Sequence, residues 1–367
     1  MSPSAIRIAD LAQRLQGDQP LDARGGYGFA GCRIEVRSNA PEVIRRLDAY
    51  FADFRDPAAV GAADIIVTAV EAAAAELDLD FAVKPPDPGK SKIKEEFIDA
   101  ADGRIVRKRL TGMVFAFGGG HHLAYGPCLE NDNQLINFIN NRFIQWTLDR
   151  GWLLCHAAAV ARGRDGLAMA GFSGMGKSTL ALELMRRELT FVSNDRLLIQ
   201  RGAGGLRLRG VAKLPRVNPG TVLNNPALAP VMEPAERERA AGLGPQALWA
   251  LEQKYDVWLD RCFGPGRFRL DAGMRGLLML NWQLDGGPLR IRRVALAERP
   301  DLLGAFSKSV GLFYDPEPGA APPDWSPQAY LAVMADCPVF ELSGGVDFAR
   351  AADAGLAFIE TGRMPEG

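Results

Sequence analysis

Hydrophobic and polar positions change period several times along the chain, and each change marks an element. Residues 31–37 (GCRIEVR) read as a strand. Asn39 then offers a cap and Pro41 a first helical turn, and Val43, Ile44, Leu47, Tyr50 and Phe51 recur at helical spacing behind them. Residues 64–70 (DIIVTAV) predict the next strand. The stretch holding Pro85, Pro86, Pro88, Gly89, Lys90, Lys92 and Lys94 breaks all periodicity and reads as a solvated loop, with a substrate-contacting flap as the alternative. From Glu95 to Gly126, short β-favouring runs are separated by Asp102-Gly103, Thr111-Gly112 and Gly118-Gly119-Gly120, the spacing of an antiparallel meander. Leu135, Ile139, Phe143 and Trp146 then share one helical face between Asn131 and Arg150, with Asn131 or Asp132 available as the cap.

Beyond that helix, WLLCHAAAVA is an apolar run of the kind that forms a buried strand. A hairpin turn at Gly163 to Gly166 and a second apolar strand, LAMA, lead to Gly171. A helix from Pro245 through Lys254, core strands at GLLMLNW and PVFEL (338–342), and a closing helix from about Val346 follow. The closing helix places Phe348, Ala352, Leu356 and Ile359 on one face, and Pro316, Pro318, Pro322, Pro323 and Pro327 mark an irregular surface segment before it. No repeat of fixed period is present. The 367 residues suit two domains at roughly 100–200 residues each. The expected division is an N-terminal β-rich α+β module over 1–150, suited to recognising a substrate or partner, and a catalytic domain over 151–367.

Composition narrows the function classes. Lys and Arg total 43 against 44 Asp and Glu, so there is no field to hold a polyanion, and neither nucleic acid nor a membrane surface is an expected partner. Cys32, Cys128, Cys155, Cys262 and Cys337 are scattered and contain no C-x-x-C pair, which argues against a zinc site or a disulfide framework and fits a reducing cytoplasm. Charges at Arg7, Asp10 and Arg14 do not suit a secretory leader, and no run approaches a membrane span. His121 and His122 sit at a Gly-rich turn without the spacing of metal ligands.

Residues 171–178, GFSGMGKS, match G-x-x-x-x-G-K-[ST], with an apolar strand before and the helix-favouring TLALELMRRE after. Gly171, Gly174 and Gly176 let backbone N–H groups curl around phosphate oxygens, while Phe172, Ser173, Met175 and Thr179 complete the nucleotide-binding stretch. Lys177 would reach the outer phosphates, and Ser178 would place a hydroxyl on Mg²⁺. A second metal-side carboxylate is needed, and LTFVSND supplies Asp195 at the end of the following strand, directly or through water.

The order His156, strand, GFSGMGKSTLALELMRR, FVSNDR resembles the HPr kinase/phosphorylase family, bacterial serine kinases whose catalytic domain is similar to phosphoenolpyruvate carboxykinase. The likeness covers about 155–220. It implies an α/β (α+β) P-loop domain with a mixed sheet. His156 falls at the family's His, Gly171 to Ser178 at its G-D-S-G-x-G-K-S loop, and Asn194-Asp195 at its Asp pair. Three departures stand out: Phe172 replaces the loop's acidic residue, Asn194 replaces the Asp resembling the general base, and Arg207 and Ala212 replace the Glu and second Gly of E-[IV]-R-G-x-G-x-x-N. Asn cannot accept a proton. In compensation the segment carries Arg209, Lys213 and Arg216, which could neutralise triphosphate charge or hold an acidic substrate.

The expected function is an ATP- and Mg²⁺-dependent kinase acting on a hydroxyl, foremost a serine of a protein or peptide. Lys177 and the loop hold phosphates, Ser178 and Asp195 hold the ion, Asn194 and His156 orient the nucleophile, and Arg209, Lys213 and Arg216 offset charge. The alternatives are a nucleotide-responsive binding module and a kinase of a small-molecule hydroxyl. KYDVWLDRCFG (254–264), with Lys254, Asp256, Asp260 and Arg261, is a candidate acceptor-side loop. The family likeness implies a homo-oligomer.

Overall fold

The computed structural model describes residues 6–85, 92–251, 253–316 and 323–365. The chain divides into two compact units, one made of Met1–Arg150 with Val310–Pro323, the other of Gly151–Ser309 with Asp324–Gly367. A contiguous 151–367 domain therefore does not describe the second unit, because the chain leaves it at Val310 and returns at Asp324. Pro86, Pro88, Gly89 and Lys90, on which the flap alternative rested, lie outside the described residues, as do Pro318 and Pro322. Pro327 is not in an irregular segment: it opens the helix Pro327–Met334, capped by Ser326.

The first unit holds β1 (Ala23–Phe29), β2 (Cys32–Ser38), β3 (Ile65–Glu71), β4 (Ala82–Val83), β5 (Glu95–Ala100), β6 (Gly103–Lys108), β7 (Val114–Gly118) and β8 (His121–Gly126). They form one sheet in the order β1-β2-β3-β8-β7-β6-β5-β4. β5 to β8 are the predicted antiparallel meander, while the β2–β3 and β3–β8 pairs are parallel. His121 and His122 belong to β8 rather than to a turn, and burial pushes the His122 imidazole down to about 3. The helix Asp132–Leu148 buries Leu135, Ile139 and Phe143, but Trp146 stays half-buried beneath the Arg150 guanidinium, 3.7 Å from its ring. Asn131 stands at the predicted cap position, but neither its side chain nor that of Asn39 makes a capping hydrogen bond. Asn39 instead donates to the Glu71 carbonyl, leaving Ala40 at the cap, and Asn131 donates to Pro127.

The second unit holds β9 (Leu153–Cys155), β10 (Ala157–Arg162), β11 (Asp165–Ala170), β12 (Thr190–Ser193), β13 (Leu197–Gly202), β14 (Gly205–Arg209), β15 (Arg216–Val217), β16 (Tyr255–Asp256), β17 (Asp271–Leu280), β18 (Arg290–Arg293) and β19 (Val339–Ser343). Its main sheet runs β12-β10-β11-β17-β14-β13-β9, with β19 beside β17 and β18 beyond it. β11, β17 and β19 are mutually parallel through β17, and the remaining pairs are antiparallel, so the sheet is mixed.

Parallel central strands need both faces covered, which explains the apolar runs LAMA and GLLMLNW. The run WLLCHAAAVA is not one strand. It breaks at His156, so that β9 pairs with β13 whereas β10 pairs with β11 and β12. The helix that begins at Pro245 ends at Ala250, short of Lys254, because Tyr255–Asp256 pairs with Arg216–Val217 as a separate ribbon. Among the described residues, no helix is long and apolar enough to cross a membrane.

Candidate active site

The strand β11 runs to Ala170, the chain turns through Gly171–Gly176, and a helix begins at once over Lys177–Met185. This strand, loop and helix succession aims the helix's positive end and the loop amides at one spot. Gly176 is required there twice over. Its φ of +86° is left-handed, and a Cβ at that position would meet the Phe348 ring at 2.5 Å. Phe348 packs edge-to-face on Trp282 with ring centroids 5.1 Å apart, and the Trp282 Nε1–H donates to the Met175 carbonyl at 2.9 Å. An aromatic pair from the end of β17 and the start of the closing helix thus backs the loop.

The loop opens on a cavity of about 700 Å³. Ser173, Gly174, Gly176, Lys177, Ser178 and Thr179 line it. Gly171, Phe172 and Met175 do not. Phe172 is exposed, and the Gly171 and Phe172 carbonyls accept from Lys177 Nζ at 2.8 and 3.2 Å. Thr179 shares a hydrogen bond with Thr221 at 2.9 Å, which ties the loop helix to the next short helix, Pro219–Leu223.

Asn194, Asp195 and Arg196 follow β12 along the same cavity. The Ser193 hydroxyl donates to the Arg196 carbonyl at 2.5 Å and closes the turn that presents Asp195. Each oxygen of Asp195 has a partner: His156 Nε2 lies 3.1 Å from Oδ1, and Lys308 Nζ lies 3.3 Å from Oδ2. His156 reaches this position through the break after β9, where its backbone N–H donates to Phe306. Lys308 reaches it because Ser307 bridges to Cys155 and the Lys308 N–H donates to Leu154, laying the chain after the helix Pro300–Phe306 alongside β9. Burial alone would raise the Asp195 carboxyl. The His156 hydrogen bond and the charges of Lys308 and His156 outweigh it and hold the group well below the usual carboxylate range.

Of the three cations predicted at the end of β14 and beyond it, the structure brings two to the cavity. Lys213 and Arg216 line it, whereas Arg209 is buried with its guanidinium 4.3 Å over the Trp152 ring and is not in the wall. Strand alternation is the reason: Leu206 and Leu208 face the core, so Arg207 and Arg209 share the opposite face, where Trp152 lies. Of the 254–264 segment, Lys254 reaches the wall and Asp256 pairs with Arg216 at 3.1 Å, while Asp260 and Arg261 stay outside. The sequence reading placed Phe348 only on the apolar face of the closing helix and assigned no role to Lys308, Arg196, Asn218 or Leu284. Arg196 could have been found beside Asp195; the others carry no local signal. The buried Oδ1 atoms of Asn194 and Asn218 meet no donor from the protein.

Among the described residues, no group of three or more His, Cys, Asp or Glu side chains could hold a metal alone. Ser178 and Asp195 share the cavity, which fits a hard cation bound through one carboxylate, one hydroxyl and the oxygens of a phosphate ligand.

Two lysines set the pH response. Burial is the main cause that brings both Lys177 and Lys213 down from 10.5 to about 8; Lys308 and Lys254 add to it at Lys177, Arg196 and Arg216 at Lys213, and Asp195 opposes it at each. Anion binding needs their protonated forms, so affinity for a triphosphate is expected to fall as pH rises above about 8. Stability should move the other way. A depressed lysine disfavours folding fully below its folded value, and the penalty lifts as pH climbs towards the unfolded value of 10.5. Titrating ATP binding and melting temperature in parallel from pH 7 to 10 checks both signs; an affinity that stays flat across that range would rule out the lysines as the phosphate cations.

No family model matches the chain, and no curated protein matches it. Among solved structures, the HPr(Ser) kinase/phosphatase from Coxiella burnetii is similar over 53% of this chain and 79% of its own length, with 10% identical residues and a TM-score of 0.27.

Proposed function

We propose that the second unit is an ATP- and Mg²⁺-dependent phosphotransferase that moves the γ-phosphate to a hydroxyl, foremost a serine of a protein or peptide. The observation that carries this reading is the meeting of Lys177, Ser178, Asn194 and Asp195 on one cavity, reached from the P-loop after β11 and from the end of β12, with β10 between those two strands. The loop amides and Lys177 bind the β- and γ-phosphates. When bound, a divalent ion held by Ser178 and Asp195 offsets the charge on those phosphates. His156 is braced by Asp195 at the same wall and helps to orient the acceptor, as does Asn194. A loose phosphoryl transition state asks little of a base, which is compatible with an amide at Asn194.

Asn194 also favours a second reading, a nucleotide-responsive module that binds ATP and transfers nothing. Incubation with γ-labelled ATP, Mg²⁺ and a lysate of the source cells is expected to label an acceptor with the wild type and not with Asp195→Asn. ATP binding by calorimetry without any labelling would favour the switch, and equal labelling by both proteins would overturn the kinase reading.

A further inference from the structure

We propose that Lys308 is a positioning residue that guards Asp195: its ammonium keeps a free divalent ion off the carboxylate and yields only to an ion that arrives with the nucleotide's phosphates. This deepens the phosphotransferase reading and rests on it. The first support is that each oxygen of Asp195 already has a partner. Oδ1 lies 3.1 Å from His156 Nε2, and Oδ2 lies 3.3 Å from Lys308 Nζ. Among the described residues, Asp195 is also the one carboxylate that lines the cavity, since Asn194 beside it is an amide. A lone carboxylate that shares its charge with an ammonium holds a divalent ion weakly, because ion and ammonium repel each other across the same few ångströms. Phosphate oxygens supply the missing negative charge, so ion and nucleotide enter together.

The second support is the contrast between a firm backbone and a loose ion pair. Cys155 and Ser307 form an antiparallel bridge. On either side of it the His156 N–H donates to the Phe306 carbonyl at 2.7 Å and the Lys308 N–H to the Leu154 carbonyl at 3.2 Å. Side chains alternate along such a pairing, so His156 and Lys308 leave the face opposite to Cys155 and Ser307, and both reach Asp195. The pair they make there is only half withdrawn from water. The Lys308 side chain is 27% exposed and that of Asp195 49%, and ion pairs so exposed are worth little. A stronger anion therefore draws the ammonium away at small cost. Lys308 does not itself line the cavity, so it acts through Asp195 and through its field, which reaches the phosphate loop at Lys177. Its charge then works with opposite signs on the two ligands, against a divalent ion alone and in favour of phosphates alone.

The test measures two affinities of the full chain: Mn²⁺ for the nucleotide-free protein, from the electron paramagnetic resonance signal of the free ion, and ATP in the presence of EDTA, by calorimetry. In Lys308→Met, Mn²⁺ affinity is expected to rise by about ten-fold and metal-free ATP affinity to fall by about ten-fold at low salt, with both changes smaller at high salt. A merely structural role moves both affinities downwards, so the opposite signs are the signature. Lys308→Arg keeps the charge and should stay near the wild type in both measurements. Adding Asp195→Asn to Lys308→Met should remove the gain in Mn²⁺ binding. The Lys308 N–H rather than its side chain pairs with β9, so the substitution leaves that pairing in place, and Lys308→Gln repeats the comparison with a polar side chain. Mn²⁺ affinity that stays level or falls overturns the inference, as does metal-free ATP affinity that stays level or rises. Either result leaves the phosphotransferase reading intact as long as the wild type binds ATP·Mg²⁺, and a wild type that binds no ATP with or without the ion overturns both.

Discussion

Lys177→Ala is expected to weaken ATP·Mg²⁺ binding by about 100-fold, the scale of losing a charge-assisted phosphate contact of roughly 3 kcal/mol in a partly dehydrated site. Lys177 is only 8% exposed, and its ammonium lies against the Gly171 and Phe172 carbonyls at the base of the cavity. Nothing else in the loop supplies a cation. The variant should nevertheless melt no lower than the wild type at neutral pH. Burial and the nearby Lys308 and Lys254 make the charged lysine unfavourable in the folded state, so removing it relieves a cost. Calorimetry with ATP·Mg²⁺ and thermal denaturation separate the two effects. An affinity within a few-fold of wild type would exclude phosphate binding at this loop, and a lost affinity accompanied by a large drop in melting temperature would trace the loss to misfolding.

Gly210→Ala is expected to be among the most damaging single-methyl changes in the second unit. A Cβ on Gly210 would stand 1.9 Å from the Val192 carbonyl oxygen and 2.8 Å from its carbon, both backbone atoms that cannot turn aside. The Gly210 N–H is simultaneously fixed to Leu270 at 2.7 Å, so the residue is held between two elements. Overpacking against backbone of this kind costs about 3 kcal/mol or more, a fall in melting temperature of roughly 10 °C for a unit of this size. Val192 lies three residues before Asp195, so nucleotide binding should suffer with stability. Gly204→Ala is the control: a Cβ there meets nothing within 4 Å, and no shift is expected. If the two variants melt together, the close approach of Gly210 to β12 does not constrain the fold.

The meander β5 to β8 was legible because each of its turns is local. Asp102-Gly103, Thr111-Gly112 and the three glycines after Phe117 reverse the chain without help from elsewhere. Its neighbours were harder. The helix Ile8–Gln16 buries Ile8 and Leu11, but Arg7 at its cap and Asp10 and Arg14 within it interrupt the apolar positions and hide the helical period. The break at His156 was invisible, since an alanine-rich run reads the same whether it forms one strand or two. Only the competing partners β13, β11 and β12 divide it. Arg209 looked equivalent to Lys213 and Arg216 until the strand's alternation turned it onto Trp152.

By itself, the sequence determined the strand, loop and helix of GFSGMGKS, because backbone handedness at glycine, a helix N-terminus and a lysine are local properties that survive any packing around them. It also placed Asp195 at the end of a strand. What only the tertiary structure decided is what surrounds that carboxylate and that loop. Lys308 is more than a hundred positions from Asp195 and meets it through a short pairing with β9. Phe348 and Trp282 converge behind Gly176 from two elements, and Arg216 of the two-stranded ribbon lines the cavity with Lys254, which precedes the ribbon's second strand. These are contacts of large sequence separation, set by which strands become neighbours, and no local period or motif encodes them.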